Sequence, residues 1–311
     1  MTIDTTKGIA GLKGALRYVR AYRDHTFVVK LGGDVLADPE ALDRVAGQLG
    51  LLSSLSIRVV VVHGGGPQAS ALSRRLGGEP QMIAGRRVTD DAALEVAKMV
   101  YAGSLNVNLL AALRAHEIQA VGLSGVDADL LTAHRRPPVT VTDDAGLKRT
   151  VDYGHVGDID RADPRVLTTL LDARFVPVVA SLAGDSDGNV YNVNADTVAE
   201  SLAVALKAQK LIFLTGAPGV LRDRNDPSSL VTFADPDDLA SLMASGSLSG
   251  GMRPKVEACI RAATSGVERT HIIDGRAPDS LLLEVFTGAG FGTMIVGRKE
   301  KATYLGVDLA T

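Results

Sequence analysis

The sequence predicts an α/β protein: a three-layer αβα sandwich around a mainly parallel sheet, with two lobes, β-hairpin embellishments and an N-terminal helix. Three observations carry this. Short β-branched runs alternate with longer helical patterns. The runs are almost continuously apolar, as strands covered by helices on both faces must be. Most of them also end in a glycine-bearing loop, and ligands of such sheets sit at the carboxyl ends of the strands.

The elements follow in order. FVVKLGG at 27–33 precedes a helical pattern at 39–54, and VVVVHGGG at 59–66 precedes another at 67–76. Further apolar strands stand at 119–125 (QAVGLSG), 175–182 (FVPVVASL), 211–216 (LIFLTG) and 271–274 (HIID). Residues 125–160 are richer in Asp, Pro and Gly with short alternating segments, which predicts hairpins. DSDGNVYNV at 185–193 predicts another, with Asp-Gly marking its turn. At the N-terminus, residues 8–23 place Ile9, Leu12, Leu16 and Val19 on one helical stripe, with Lys13, Arg17 and Arg20 largely off it.

Bulk composition removes several function classes. A chain of 311 residues with a formal charge of −3 has no basic footprint for nucleic acid or an anionic membrane. No apolar run approaches the roughly 20 residues of a spanning helix, and the N-terminus lacks the layout of a signal peptide. Cys259 is the single cysteine, which rules out an internal disulfide framework and suits a reducing, cytoplasmic setting. Six histidines without ligand spacing predict no zinc site.

The strand ends carry the candidate chemistry: KLGGD (30–34), HGGGP (63–67), LSGVD (123–127), TGAPG (215–219) and IDG (273–275). Gly64, Gly65 and Gly66 in succession need a reason, since glycine costs backbone entropy and packs nothing. Either they make a tight strand-to-helix turn before Pro67, or bare backbone approaches an anionic ligand at a helix N-terminus. The sequence has no G-x-x-x-x-G-K-[ST] phosphate loop and no G-x-G-x-x-G after a strand. HGGG resembles an esterase oxyanion loop, but no nucleophile elbow accompanies it.

What remains is glycine loops with isolated cations. Lys30 ends an apolar strand directly before Gly32 and Gly33, either as a phosphate partner or as a lysine snorkelling to solvent. Lys255 lies just inside a helix announced by Gly250, Gly251 and Pro254, where it opposes the helix dipole unless an anion is near. Asn192, Asn194 and Asp196 end a hairpin and lead into a helix; one of them serves as its N-cap, and the two alternating amides suit a small polar ligand. Arg87 is either a bidentate carboxylate clamp or a surface arginine.

The blocks KLGGD, VVHGGGPQ, GRRVT, VGLSG, NVNADT, GGMRPK and IDGR with LLLEVFT run in that order between about residues 27 and 296. Together they resemble the N-acetylglutamate kinases of the amino-acid kinase superfamily. The resemblance implies transfer of a phosphoryl group from ATP to the γ-carboxylate of N-acetyl-L-glutamate, an early step of arginine biosynthesis. It implies that Lys30 serves the attacking side, Lys255 the leaving side, and Asp196 holds both ammonium groups. Gly64, Gly65, Gly66, Arg87, Asn192 and Asn194 would bind the acid, with Arg87 and Asn192 on its α-carboxylate. Gly32, Gly33, Thr215, Gly219, Gly251 and Lys255 would bind the nucleotide, the first two through backbone N–H groups. Mg2+ would be held mainly by the nucleotide phosphates and water, with no protein metal cage.

The same resemblance implies residues 25–208 as the acid-binding and dimerising lobe and 209–311 as the nucleotide lobe. Residues 1–24 become an oligomerisation helix joining three dimers into a hexamer. L-arginine becomes a feedback inhibitor, bound through Glu284, Gly290 and Gly292. Three departures stand out. Gly216-Ala217 replaces the Asp-Val common in the family, leaving no expected acidic group on the nucleotide side. SGVDAD at 124–129 is less glycine-rich than usual. Asp279 occupies a position where the arginine-sensitive enzymes usually carry histidine. Two other readings stay open: a sister kinase acting on carrier-protein-bound aminoadipate, and a catalytically silent regulatory subunit of the same fold.

Overall fold

A computed structural model of the chain describes residues 14, 16–142, 148–246, 248, 250–287 and 290–297. Its centre is an eight-stranded sheet. In chain order the strands are β1 (Thr26–Leu31), β2 (Arg58–His63), β3 (Ala120–Ser124), β4 (Val176–Ala180), β5 (Lys210–Thr215), β6 (Phe233–Ala234), β7 (Arg269–Asp274) and β8 (Thr293–Val296). Across the sheet they run β6-β8-β7-β5-β1-β2-β4-β3. Within this sheet, among the described residues, only the β7–β8 pairing is antiparallel, so the mainly parallel sheet expected from the apolar runs is present. The expected division at residue 208 falls between β1 and β5, which are hydrogen-bonded neighbours.

Residue parity within β1 explains the layering. Phe27, Val29 and Leu31 face a core with helix α2 (Pro39–Ser54), helix α4 (Asn106–Ala115) and helix α7 (Ser280–Phe286). Val28 faces the other way, with Val60, Val62 and Phe213, against helix α5 (Ala195–Ala205) and helix α6 (Met252–Thr264). Successive side chains of a strand point to opposite faces, so Lys30 shares the face of Val28. That parity directs it towards α5 and α6. Two further helices begin at the site edge, the short α1 (Gly33–Ala37) after β1 and α3 (Gly66–Arg75) after β2.

Two of the smaller sheets hold the expected hairpins, while a further two-stranded one, Met82–Ile83 with Arg86–Arg87, was not expected. Leu131–Arg135 pairs antiparallel with Gly157–Ala162, and Val139–Thr142 with Lys148–Val151. Leu182–Gly184 pairs with Val190–Asn192 around a turn that contains Gly188 at φ 85°. That turn, GDSDG, is the chain's own G-x-S-x-G match. It joins two strands rather than a strand and a helix, so it is no nucleophile elbow.

Asp91–Ala115 is long and apolar enough to cross a membrane by length and composition, which the sequence reading did not expect. Its Leu94, Val96, Val100, Tyr101, Leu109 and Leu113 are buried in the chain's own cores, and Gly103 breaks its helical backbone. Of the N-terminal helix, residues 8–13 and 15 lie outside the described residues; residues 16–22 are helical. Leu16 is 42% exposed, whereas Tyr22 is buried edge-on against Phe27 with ring centroids 5.3 Å apart. The aromatic residues of this helix, rather than Leu16, dock it on its own chain.

Candidate active site

Three charged side chains meet at the carboxyl edge of the sheet. Lys30 comes from β1, Asp196 from the first turn of α5, and Lys255 from the start of α6. Asn194 makes the α5 terminus, because its side chain accepts from the N–H groups of Asp196 and Thr197 at 2.7 and 3.3 Å. An acid in the first turn is also favoured by the helix dipole. Lys30 Nζ lies 2.7 Å from Asp196 Oδ1. Lys255 Nζ donates to Asp196 Oδ2 at 3.1 Å and to the Gly251 carbonyl at 3.2 Å. One carboxylate thus spaces two ammonium groups.

Lys30 is 7% and Asp196 4% exposed, so this is a costly arrangement that the pairing must offset. Burial, with help from the charge of Lys255, pulls the Lys30 amine below its ordinary range, and Asp196 opposes that. Burial alone would raise the Asp196 carboxyl, but Lys30 and then Lys255 hold it below the ordinary carboxylate range. The triad carries two positive charges against one negative. Lys255, the more exposed of the two amines, lines the adjoining cleft and suits an anionic group there.

A cleft of about 450 Å³ adjoins the triad, lined by Thr215, Gly216, Gly219, Gly251, Lys255 and Asp34 among others. Four of the expected nucleotide residues therefore line one cavity. Gly32 does not offer its N–H to phosphates as expected, because that N–H already donates to the Leu214 carbonyl at 2.8 Å. Its missing Cβ is explained by the same approach, being 2.8 Å from that oxygen. Gly33 opens α1, and an N–H at a first helical position has no partner within its helix. The Thr215 hydroxyl is engaged with Ala217 and with the Ile273 carbonyl at 3.3 Å. It fixes the floor of the cleft. The expected lack of an acid on the nucleotide side is corrected as well: Asp34 lines the cleft. Sequence inspection missed it because its partner position, Gly216, lies on another strand end.

The three glycines after β2 have three different reasons. A Cβ on Gly65 would lie 2.7 Å from the Tyr101 ring, so its bareness serves packing. A Cβ on Gly64 would meet Ala195 at 3.2 Å, which brings the loop close to the α5 terminus. Nothing lies within 4 Å of a Cβ at Gly66; only there is the space open to a ligand. The loop is strapped on both sides. His63 Nδ1 donates to the Gly64 carbonyl at 2.8 Å, and burial pushes its imidazole down to about 4, keeping it neutral. Arg87 Nη2 donates to the Gly66 carbonyl at 2.8 Å and to Ser70 Oγ.

Arg87 is therefore at the loop, as the acid-clamp reading needs. Asn192 is tied elsewhere, its amide donating to Thr89 Oγ1 at 3.1 Å. With Asn194 serving as the N-cap, the two amides do not act as a matched pair. Among the described residues no group of three or more His, Cys, Asp or Glu is placed to hold a metal ion. Cys259 is buried, and burial pushes its thiol up to about 12.

A second polar cluster lies beside β7. His271 Nδ1 is 2.6 Å from Glu284 Oε1, and Lys210 Nζ is 3.1 Å from His271 Nε2. Glu284 Oε2 accepts from the N–H groups of Phe291 and Gly292. Both oxygens of Glu284, the residue expected to pair with an arginine guanidinium, are thus engaged within the chain. A histidine does stand against Glu284, contributed by β7 as His271, while Asp279 sits at φ 54° before α7. Gly290 takes φ 66°, and Gly292 is bare because β7 backbone crosses it.

The amino acid kinase family profile matches residues 25–274. An acetylglutamate kinase of Myxococcus xanthus is 51% identical over 288 residues, covering 92% of this chain and 94% of that protein. Among solved structures, the N-acetylglutamate synthase of Neisseria gonorrhoeae, in complex with coenzyme A and N-acetyl-glutamate, superposes with a TM-score of 0.78. It is 30% identical, over 93% of this chain and 63% of that one, so the chain spans less than two thirds of the synthase. The same synthase in complex with coenzyme A and L-arginine gives 0.78 at 27% identity, covering 93% and 65%.

Proposed function

The chain belongs to the amino acid kinase family, and from that premise we infer that it phosphorylates N-acetyl-L-glutamate with ATP in arginine biosynthesis. The observation that carries the chemistry is the Lys30–Asp196–Lys255 triad beside an open cleft. A side-chain carboxylate is ionised near neutral pH, so the acid needs no general base. One of its γ-carboxylate oxygens attacks the terminal phosphorus of ATP in line; the bond to the bridging oxygen breaks and ADP departs with that electron pair. The product is an acyl phosphate. The barrier is electrostatic, because two anions must meet and charge shifts along the reaction axis. Lys30 neutralises the attacking side and Lys255 the leaving side. Asp196 keeps the two ammonium groups apart and aimed.

Arg87 and the backbone around Gly66 receive the acid, with Asn192 and Asn194 bordering it. Thr215, Gly219 and Gly251 border the nucleotide. Mg2+, when bound, would neutralise phosphate charge; a cleft lined by Asp34, with no acidic cage among the described residues, fits an ion held mainly by phosphates and water. Residues 25–208 form the acid-binding, dimerising lobe and 209–311 the nucleotide lobe of a cytoplasmic enzyme.

Hydroxylamine trapping tests the assignment directly. Acyl hydroxamate should accumulate with N-acetylglutamate and ATP–Mg2+, and not appreciably with glutamate, aspartate or aminoadipate. Preferred turnover of aminoadipate would favour the sister-kinase reading. No product from any acid would leave the silent-subunit reading standing.

Regulation follows the same line. The enzyme is a trimer of dimers inhibited by L-arginine, which binds between the N-terminal helix and the cluster of Glu284, Gly290 and Gly292. Supporting this, Tyr22 of the helix already contacts that region: Arg269 Nη1 donates to its hydroxyl at 3.2 Å, and Lys210 Nζ lies 5.0 Å over its ring. Deleting residues 1–24 should give an active dimer with weakened arginine inhibition. Sedimentation of the intact chain as a dimer that ignores millimolar arginine would defeat the claim.

A further inference from the structure

We propose that Asp34 is the carboxylate by which the cleft selects the magnesium complex of the nucleotide over the free nucleotide. The inference rests on the nucleotide site proposed above. Asp34 is exposed and lines the cleft beside Gly216 and Lys255. A Cβ built on Gly216 would lie 2.9 Å from Asp34 Cγ and 3.1 Å from Asp34 Cβ. Position 216 must therefore be glycine for the carboxylate to lie where it does.

Nearby cations leave that carboxylate free. The charge of Asp34 is felt by Lys30 and Arg276. Yet Lys30 is turned to Asp196, and Arg276 donates to both Asp274 oxygens and to the Gly216 carbonyl. Among the described residues Asp34 has no ion-pair partner. The Arg276 contact also fixes the backbone under the carboxylate, so the Asp34–Gly216 contact is braced from below.

A polyphosphate running from Lys255 towards Lys30 must pass this group. An unpaired carboxylate repels a bare polyphosphate at that range. The sign reverses when a hydrated divalent ion lies between them. Mg2+ keeps several waters and takes one or two carboxylates alongside substrate phosphates. A single oxygen-donor group at the side of the cleft fits that role, either on the ion or on its water shell. Asp34 thus penalises free nucleotide and favours the complexed form.

Calorimetric titration of the full chain with ADP tests this without the acid substrate, once in EDTA and once with excess Mg2+. The wild type should bind Mg-ADP more tightly than ADP. Asp34→Asn should shrink that ratio about tenfold, the size of one charge-assisted contact, with free ADP binding more tightly than before. Gly216→Ala should act in the same direction by displacing the carboxylate. Asp34→Asn combined with Gly216→Asp, which returns a carboxylate to the neighbouring backbone position, should recover part of the ratio. An unchanged ratio in both single variants overturns the proposal. So does an equal loss of binding with and without Mg2+, which would mark Asp34 as merely structural. Wild-type protein that binds no ADP in either condition would instead defeat the kinase reading itself.

Discussion

Lys255→Ala should cut kcat by about 10²–10³, the usual loss when a donor to developing transition-state charge is removed. Its ammonium group is placed by Asp196 Oδ2 and the Gly251 carbonyl at the mouth of the cleft. That is where charge must accumulate as the ADP bridge oxygen leaves. The fold should survive, because Asp196 keeps its shorter contact with Lys30 and the Lys255 side chain is partly exposed. Arg87→Ala gives the contrast. The α-carboxylate it would hold does not change charge during the reaction, so its loss should appear mainly in KM for the acid. Part of that rise comes from the loop, since Arg87 also straps the Gly66 carbonyl. Steady-state kinetics of both variants settle the matter. Lys255→Ala acting only on KM, with Arg87→Ala acting only on kcat, would mean that the two sides of the site have been exchanged.

How much of this was legible in the sequence differs from residue to residue. The strand–loop–helix rhythm was legible because apolar runs and glycine breaks are local. The helix at 39–54 even has the expected bounds, with Asp38 capping it ahead of Pro39. Lys30 was conspicuous because a charge inside an apolar strand is expensive. That Asp196 lies between Lys30 and Lys255 was not legible from spacing at all. It needs the register of β1 in the sheet and the approach of α5 to α6, and only the family resemblance supplied it. Glycines misled in proportion to how much they pack. Gly32 and Gly65 looked like ligand backbone, yet one is bonded to β5 and the other makes room for Tyr101. Asp34 stayed hidden for a related reason. A glycine at 216 read as a missing acid, when it makes room for an acid from a different strand end.

Glu284→Gln should lower stability by about 1.5–3 kcal/mol at neutral pH, the scale for losing hydrogen bonds to a charged group in the interior. The carboxylate is 6% exposed and joins His271, with Lys210 on the far side of the imidazole. Burial and the charge of Lys210 push His271 down to about 4. The ring is therefore neutral, donating from Nδ1 to Glu284 and accepting at Nε2 from Lys210. An amide at 284 can turn a donor towards Nδ1, but the matching tautomer would then aim an N–H at the Lys210 ammonium. Burial, with the charge of Arg269, already pulls the Lys210 amine down to about 7, so either arrangement removes the acid that favours its charged form. The sign with pH follows from the depressed acid. Burial opposes it, but His271, the Phe291 N–H and Lys210 hold the Glu284 carboxyl at about 2 against an ordinary 4.5. Its contribution is complete above about 4.5 and is lost as pH falls through about 2. Thermal melts of wild type and variant should thus differ most near pH 7 and converge as pH drops from about 4.5 towards 2. Below its melting range the variant should keep kcat near that of the wild type, because the cluster sits on β7 and α7 rather than at the triad, while losing the arginine inhibition proposed above. A deficit that stays constant across that acid window would show that Glu284 is protonated in the fold, and that the His271 bridge carries no charge.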